Sequence, residues 1–321
     1  MIMQTPNLKN IKGIHCHRNQ PLSRYTSMQV GGAASFIVEP EDKKILMRLL
    51  TCLREEMIPW YLLGGGTNTI FDEEGFQGVV IKLGKGFRFV LQKPPFHLQV
   101  GTATPLSLVL EKSLDLGLAG LEFCLGIPGT LGGAVEGNAG MDGWGIHDFI
   151  SLVEGVTERG EEVAFHRGEY SYGYRHVEWP FVTINRSMQE RGIGGGHKII
   201  VTSVDLELGP ADPEKQKALL EKYRRIRLKQ PATRRTAGSI FKNPSGDYAG
   251  RLIEAAGLKG RTIGGACISS SHGNWIINKG NASAHDVISL ISMVQKTVRK
   301  KFGILLEPEV HIISHQRLEA V

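Results

Sequence analysis

No apolar run in this chain approaches the roughly 18–20 residues needed to cross a bilayer. The first ten residues, MIMQTPNLKN, lack the apolar core of a signal peptide. Cysteine is scarce: Cys16, Cys52, Cys124 and Cys267 are scattered and form no C-x-x-C pair. That spacing excludes a disulfide framework and a zinc ribbon, and it suits a reducing compartment. Each cysteine is read as a small buried apolar residue, no metal site is expected, and a cytoplasmic location away from membranes is expected. Internal repeats and a low-complexity basic tail are also missing, which removes solenoids and the commonest disordered nucleic-acid binders.

What remains is an ordinary globular composition, 41% hydrophobic and 22% charged, over 321 residues, enough for two or three domains. The net charge is +6, which suits an anionic partner: nucleic acid, a membrane surface or a small anion. The 40 glycines gather in tight clusters where backbone can approach a ligand closely, which favours the small anion.

The pattern along the chain alternates strands and helices. SFIVEP reads as extended, and Pro40 suits the first turn of a helix through about Leu53. WYLLGGG, GVVIKL and FHLQVGTAT read as strands. Thr104 and Pro105 supply an N-cap and first residue for a helix that stops near Gly117. VEGVT, EEVAF and KIIVTSVDLEL add strands. Asp212-Pro213 opens a helix with Leu219, Leu220, Tyr223 and Ile226 on one face and a basic end. Ser283 and Asp286 have capping-box spacing before a stripe of Val287, Leu290, Ile291, Val294 and Val298. Composition shifts near 225, which sets an expected boundary there, and the expected units are 1–90, 91–224 and 225–321.

Three constellations carry chemistry. In LLGGGTNTIF (62–71), Gly64, Gly65 and Gly66 let the backbone turn tightly and aim amides at an anion, with Thr67 and Asn68 as further donors. Position 69 is Thr and no Walker lysine follows, so neither standard nucleotide fingerprint applies; the plain alternative is a tight turn. In GLEFCLGIPGTLGGAVEGNAG (120–140), seven glycines and few charges make a loop able to lie against a flat ring, or an ordinary Ω-loop. Two such loops suggest a bulky dinucleotide such as FAD. The third set is Lys229, Arg234, Arg235, Ser239, Lys242, Asn243, Glu307 and Glu309. Its cations could hold a diphosphate or carboxylate; taken singly they are solvated charges, and Glu309 beside Val310 in a strand reads equally as an exposed carboxylate. Ser239 stands in AGSIFKNP, a G-S-I-F pattern rather than the G-x-S-x-G of a hydrolase nucleophile, and could be a turn hydroxyl.

In this order the stretches YTSMQVGGAASFIVEP, LGGGTN, GLEFCLGIPGTLGGAVEGNAG, YGYR, KQPATRRTAGSIFKNP, AGRLIEAAGLKG, HGNWIINKGNASAHDV and FGILLEPEV resemble the UDP-N-acetylenolpyruvoylglucosamine reductases. The resemblance covers nearly the whole chain, and AGSIFKNP followed by LEPEV is its most specific part. It implies an α+β protein: a two-part FAD-binding unit of the vanillyl-alcohol-oxidase type, closed by a C-terminal α+β substrate domain. It implies non-covalent FAD, NADPH as co-substrate, and UDP-N-acetylglucosamine enolpyruvate as the acceptor in peptidoglycan precursor synthesis. Carried over by motif, Arg175 and Glu309 stabilise developing charge and Ser239 donates a proton to C2, an acid role that needs no histidine base. Tyr174, Lys229, Asn243 and His272 match substrate positions. Gly64, Gly65, Gly66, Thr67 and Asn68 match the diphosphate loop. Ile127, Pro128, Gly129, Thr130, Gly133, Ala134, Asn138, Ala139 and Gly140 match the run along the flavin. Val177, Gly137 and His311 depart from the usual pattern. The short 176–200 region implies the shorter family subtype. A monomer that binds no nucleic acid is expected. The alternatives are an FAD-dependent sugar or alcohol oxidase of the same superfamily and a non-catalytic polyanion binder.

Overall fold

The computed structural model describes Leu8 and residues 11–180, 199–231, 233 and 235–313. Arg234 and most of the short 176–200 region lie outside the described residues.

The N-terminal sheet has the order β1-β2-β5-β3, built from β1 (Ile14–Pro21), β2 (Ala33–Pro40), β3 (Trp60–Leu62) and β5 (Phe76–Ile81). β1 and β2 are antiparallel, whereas β2–β5 and β5–β3 are parallel, as the βαβ connection through α1 (Lys43–Glu55) requires. α1 starts at Asp42, whose carboxylate accepts from Ile45 N at 2.9 Å; Pro40 ends β2 and does not open the helix. The stronger cap two residues on decided the start, with Leu46, Leu49, Leu50 and Leu53 buried against the sheet.

The second sheet is antiparallel and five-stranded: β9 (Glu162–His166), β8 (Ile150–Thr157), β12 (Ile199–Glu207), β7 (His97–Gly101) and β6 (Val90–Lys93). Its apolar face takes α2 (Leu106–Asp115) and α3 (Leu131–Glu136). α2 begins after Pro105 with no side-chain cap; the Thr104 hydroxyl instead donates to Phe89 O at 3.1 Å. A short hairpin, β10 (Ser171–Gly173) and β11 (His176–Glu178), carries the YGYR motif at its turn. Val177 packs against the same apolar core.

α4 (Pro213–Leu228) runs across residue 225; Tyr223 is its buried contact, while Leu219 faces solvent. The basic residues that follow it leave too few apolar positions for a full buried stripe. Beyond it, β13 (Thr236–Ser239), β16 (Trp275–Asn278), β15 (Ala266–Ile268) and β14 (Thr262–Ile263) form a second four-stranded sheet beside α5 (Ala249–Ala255). α6 (Ala284–Phe302) covers it with Val287, Leu290, Ile291, Val294 and Val298, each fully or almost fully buried, a stripe worth roughly 1.5–3 kcal/mol per side chain. The Ser283–Asp286 capping box forms, and Gly303 closes the helix at φ 73°.

The C-terminal sheet is stitched to the N-terminal unit. β17 (His311–Ile313) pairs in parallel with β4 (Thr69–Phe71). Glu73 caps α6 from across the fold, accepting from Ala284 N at 2.6 Å and His285 N at 2.9 Å. Asn278 Nδ2 donates to Met28 O at 2.9 Å. Of the cysteines only Cys124 is buried; Cys16 is exposed on β1, and Cys52 and Cys267 are half-buried. β1 is an edge strand whose residues 15–19 are all exposed, Cys16 among them. All four are free thiols. Among the described residues no His/Cys/Asp/Glu group could hold a metal, and no helix is long and apolar enough to cross a membrane.

Candidate active site

Arg175 sits at the hairpin turn in the left-handed region, φ 55°. A non-glycine residue held there marks an over-determined position. Its guanidinium fork reaches three groups. Nε donates to Glu309 Oε1 at 2.7 Å, the first terminal nitrogen to Asn138 O at 3.3 Å, and the second to Gly140 O at 3.1 Å. One side chain thereby ties the third constellation to the second. Asn138 is itself buried and strained at φ 38°; its amide donates to Gly173 O at 2.8 Å and so holds the base of the same hairpin.

Glu309 is not the exposed strand carboxylate that its alternation with Val310 allowed. Its side chain is only 18% exposed, and burial pushes its pKa up against the opposing pull of Arg175 and Lys242. Its backbone is fixed on both sides: Glu309 N donates to Ile240 O at 2.8 Å, and Asn68 Nδ2 donates to Glu309 O at 3.0 Å. Asn68 thus joins the first constellation to the other two.

Ser239 ends β13, one residue before that Ile240 contact. The ladder from β13 to β16 is irregular between Thr236 and Ser239, and Gly238 has φ 76°. A bulge of this kind turns the next side chain out of the ladder. No described residue takes the Ser239 hydroxyl, which leaves it available as a donor.

Tyr174 links Arg175 to Asn243. Its ring lies under the Arg175 guanidinium, 5.1 Å from carbon to centroid, and its hydroxyl accepts from Asn243 N at 3.3 Å. The Asn243 side chain accepts from Ala249 N at 3.1 Å and so anchors the start of α5. His272 is half-buried, and its Nδ1 accepts from Asn274 N at 3.3 Å; burial first, then Lys259, lowers its pKa. Lys229 is the exposed C-cap of α4 and contacts none of these groups.

The glycine loops meet backbone to backbone. A Cβ on Gly65 would lie 2.6 Å from Gly129 Cα, and one on Gly64 would lie 3.0 Å from Thr130 Oγ1. Gly129 has φ 104° and would meet Thr67 Oγ1 at 2.8 Å. Thr130 caps α3. The outer edge of this contact, Gly65, Pro128 and Gly133, is exposed, while Ile127 and Ala139 are half-buried and Ala134 is buried beneath it. Gly66 packs against the Tyr25 carbonyl and Thr26 Cα, and the Thr26 hydroxyl is buried with no hydrogen-bond partner among the described residues. Side-chain-free backbone around an orphaned donor fits a dinucleotide diphosphate laid across the two loops.

Several contributors escaped the sequence reading. Asn274 clamps Phe241 through its N–H at 3.0 Å and its carbonyl at 2.8 Å, next to Ser239. Arg227 donates to Leu125 O at 2.8 Å and braces the Gly126 turn. His147 and Lys82 support the two glycine loops. Only Lys82 left a local trace, a lysine closing an otherwise apolar strand.

The comparisons agree with this geometry. Residues 34–166 match the model of an FAD binding domain, and residues 230–313 match the model described as UDP-N-acetylenolpyruvoylglucosamine reductase, C-terminal domain. A UDP-N-acetylenolpyruvoylglucosamine reductase of Caldanaerobacter subterraneus subsp. tengcongensis is 38% identical over 299 residues, 93% of each chain. That of Desulfosudis oleivorans is 39% identical over 302 residues, 92% of this chain and 93% of the other. The crystal structure of the Thermus caldophilus enzyme superposes with a TM-score of 0.76 at 33% identity, covering 93% of this chain and 98% of that one. The fold is therefore the expected FAD-binding unit with a C-terminal α+β domain, and the reductase reading stands over the oxidase alternative. With near-complete coverage by such relatives, and with Arg175 and Asn68 together joining all three motif clusters through Glu309, the chain belongs to the UDP-N-acetylenolpyruvoylglucosamine reductase family.

Proposed function

We propose that this chain reduces the enolpyruvyl group of UDP-N-acetylglucosamine enolpyruvate to UDP-N-acetylmuramate with electrons from NADPH. The observation that carries the proposal is the Arg175 fork, which holds Glu309 at 2.7 Å and two carbonyls of the glycine loop. FAD held along the two glycine loops would supply the two-electron chemistry that links NADPH to the enolpyruvyl group.

The protein then deals with charge and a proton. Hydride addition pushes negative charge onto C2 and the carboxylate of the substrate. Arg175 faces that charge with a fixed cation, and Glu309, whose carboxyl pKa burial raises against the pull of Arg175 and Lys242, is the acid group beside it. Ser239 gives its proton to C2. Tyr174, Asn243, His272 and Lys229 hold the uridine diphosphate end, with Tyr174 and Asn243 already joined to the Arg175 side.

Gly64, Gly65, Gly66, Thr67 and Asn68 take the diphosphate of FAD, and 127–140 lies along its ring. NADPH and substrate alternate in one site. The three-unit division is kept, with the second boundary moved to the end of α4 at Leu228. The enzyme acts as a cytoplasmic monomer.

The test is anaerobic: NADPH first, then UDP-N-acetylglucosamine enolpyruvate, with the flavin absorbance followed throughout. Bleaching and then recovery are expected. In Ser239→Ala, bleaching persists at its normal rate and recovery slows by roughly 10²–10⁴. Full recovery in that variant, or no bleaching in the native protein, refutes the assignment.

A further inference from the structure

Lys82 closes β5 and turns back under the first glycine loop, half-buried. Its ammonium donates to Gly64 O at 3.3 Å and lies 5.8 Å from the centre of the Tyr25 ring. Glu39, on β2, is the neighbouring carboxylate. Two residues along the loop, Gly66 O accepts from Ser27 N at 2.9 Å, while the Ser27 hydroxyl donates to Thr236 O at 2.5 Å. Both carbonyls of the turn are therefore held from behind.

In a trans peptide the carbonyl and the following N–H point in opposite directions. Pinning Gly64 O on Lys82 and Gly66 O on Ser27 turns the N–H groups of Gly65 and Thr67 to the open side of the loop. Neither of those N–H groups has a partner among the described residues. Gly65 is exposed there, beside the Gly129 turn. A cation on the carbonyl also polarises the peptide and strengthens its N–H as a donor.

We propose that Lys82 is a positioning residue for the diphosphate of the dinucleotide. It orients the Gly64–Gly65 peptide and places a fixed positive charge one peptide behind the donor. The role rests on the FAD reading of the two loops, and it adds a cation to a site that the motifs describe as glycine amides with the uncharged donors of Thr67 and Asn68.

The experiment measures FAD binding to the full-length apoprotein by quenching of flavin fluorescence. Lys82→Met is expected to raise the dissociation constant about 10- to 100-fold at low salt, the range for losing one charge-assisted contact. Lys82→Arg keeps the charge and the donor and should return the constant to within a few-fold of the native value. Because Lys82 is half-buried behind the loop, melting temperatures are measured beside the affinities, and that of the Lys82→Arg apoprotein should match the native value. If Lys82→Met does not fold, Lys82→Gln replaces it. Unchanged FAD affinity in the neutral variant overturns the proposal, as does an equal loss in the Arg variant. Failure of the native apoprotein to take up FAD would instead refute the flavin reading itself.

Discussion

Replacing Arg175 by Lys keeps the charge and removes the fork. The native guanidinium makes three hydrogen bonds, to Glu309 Oε1, Asn138 O and Gly140 O. An ammonium on a shorter reach can keep one of them, and the Glu309 contact at 2.7 Å is the strongest to retain. Two charge-assisted bonds to the 138–140 backbone are then lost, each worth about 1.5 kcal/mol at the low end of the range, because the arginine is partly open to solvent. The sum, roughly 3 kcal/mol, corresponds to about 10² in rate if the bonds set the geometry in which charge develops. The loss should fall on the substrate-dependent half of the cycle, where that charge appears. Stopped-flow absorbance separates the halves: NADPH-dependent bleaching within a few-fold of native, and substrate-dependent recovery slowed about 10²-fold. Glu309→Gln is the control, since it keeps an acceptor for Nε and removes only the ionisable group. Equal slowing of both halves in Arg175→Lys, or no slowing of recovery, refutes the idea that the fork positions the glycine loop for catalysis.

Other consequences follow from the same geometry. His147 is fully buried between Val135 O at 2.8 Å and the Tyr170 hydroxyl at 3.0 Å, and burial lowers its pKa despite the Val135 carbonyl and Asp148. Its folded pKa lies below the unfolded value near 6.5, so the unfolded chain takes up the proton first and stability falls as pH drops below about 6.5. His147→Gln should flatten that slope in urea midpoints measured between neutral and mildly acid pH, and an unchanged slope would refute the assignment. Among the thiols, exposed Cys16 should react with a disulfide reagent ahead of Cys52, whose pKa burial and Glu56 push up to about 11, and buried Cys124 should stay silent until unfolding. The fast phase should vanish in Cys16→Ser; its persistence would place the reactive thiol elsewhere. Leu290→Ala in the centre of α6 should destabilise the C-terminal sheet by about 2–5 kcal/mol in denaturant unfolding, because the side chain is completely buried; a change under 1 kcal/mol would contradict the packing.

The helices with a clear apolar stripe and a capping pair were legible from local order. The Ser283 box and the α6 stripe appear where capping-box spacing and periodicity put them. Local signals failed where two of them competed. Pro40 looked like a helix start, yet Asp42 makes the cap; Thr104 looked like a cap, yet its hydroxyl is taken by Phe89 O. Cys16 and Leu219 were misplaced because burial belongs to the sheet edge and the helix neighbour, neither of which lies close in sequence.

Sequence alone determined the glycine loops and the G-S-I-F motif, and the resemblance carried by those motifs singled out the arginine, serine and glutamate as candidates. Tertiary structure alone decided that these groups meet. Arg175 and Glu309 are 134 positions apart, and Asn68 and Glu309 are 241 apart, yet single hydrogen bonds join both pairs. Burial of a carboxyl group, the direction in which a peptide N–H faces, and a lysine set behind a glycine are properties of packed surfaces, and no local pattern of residues encodes them.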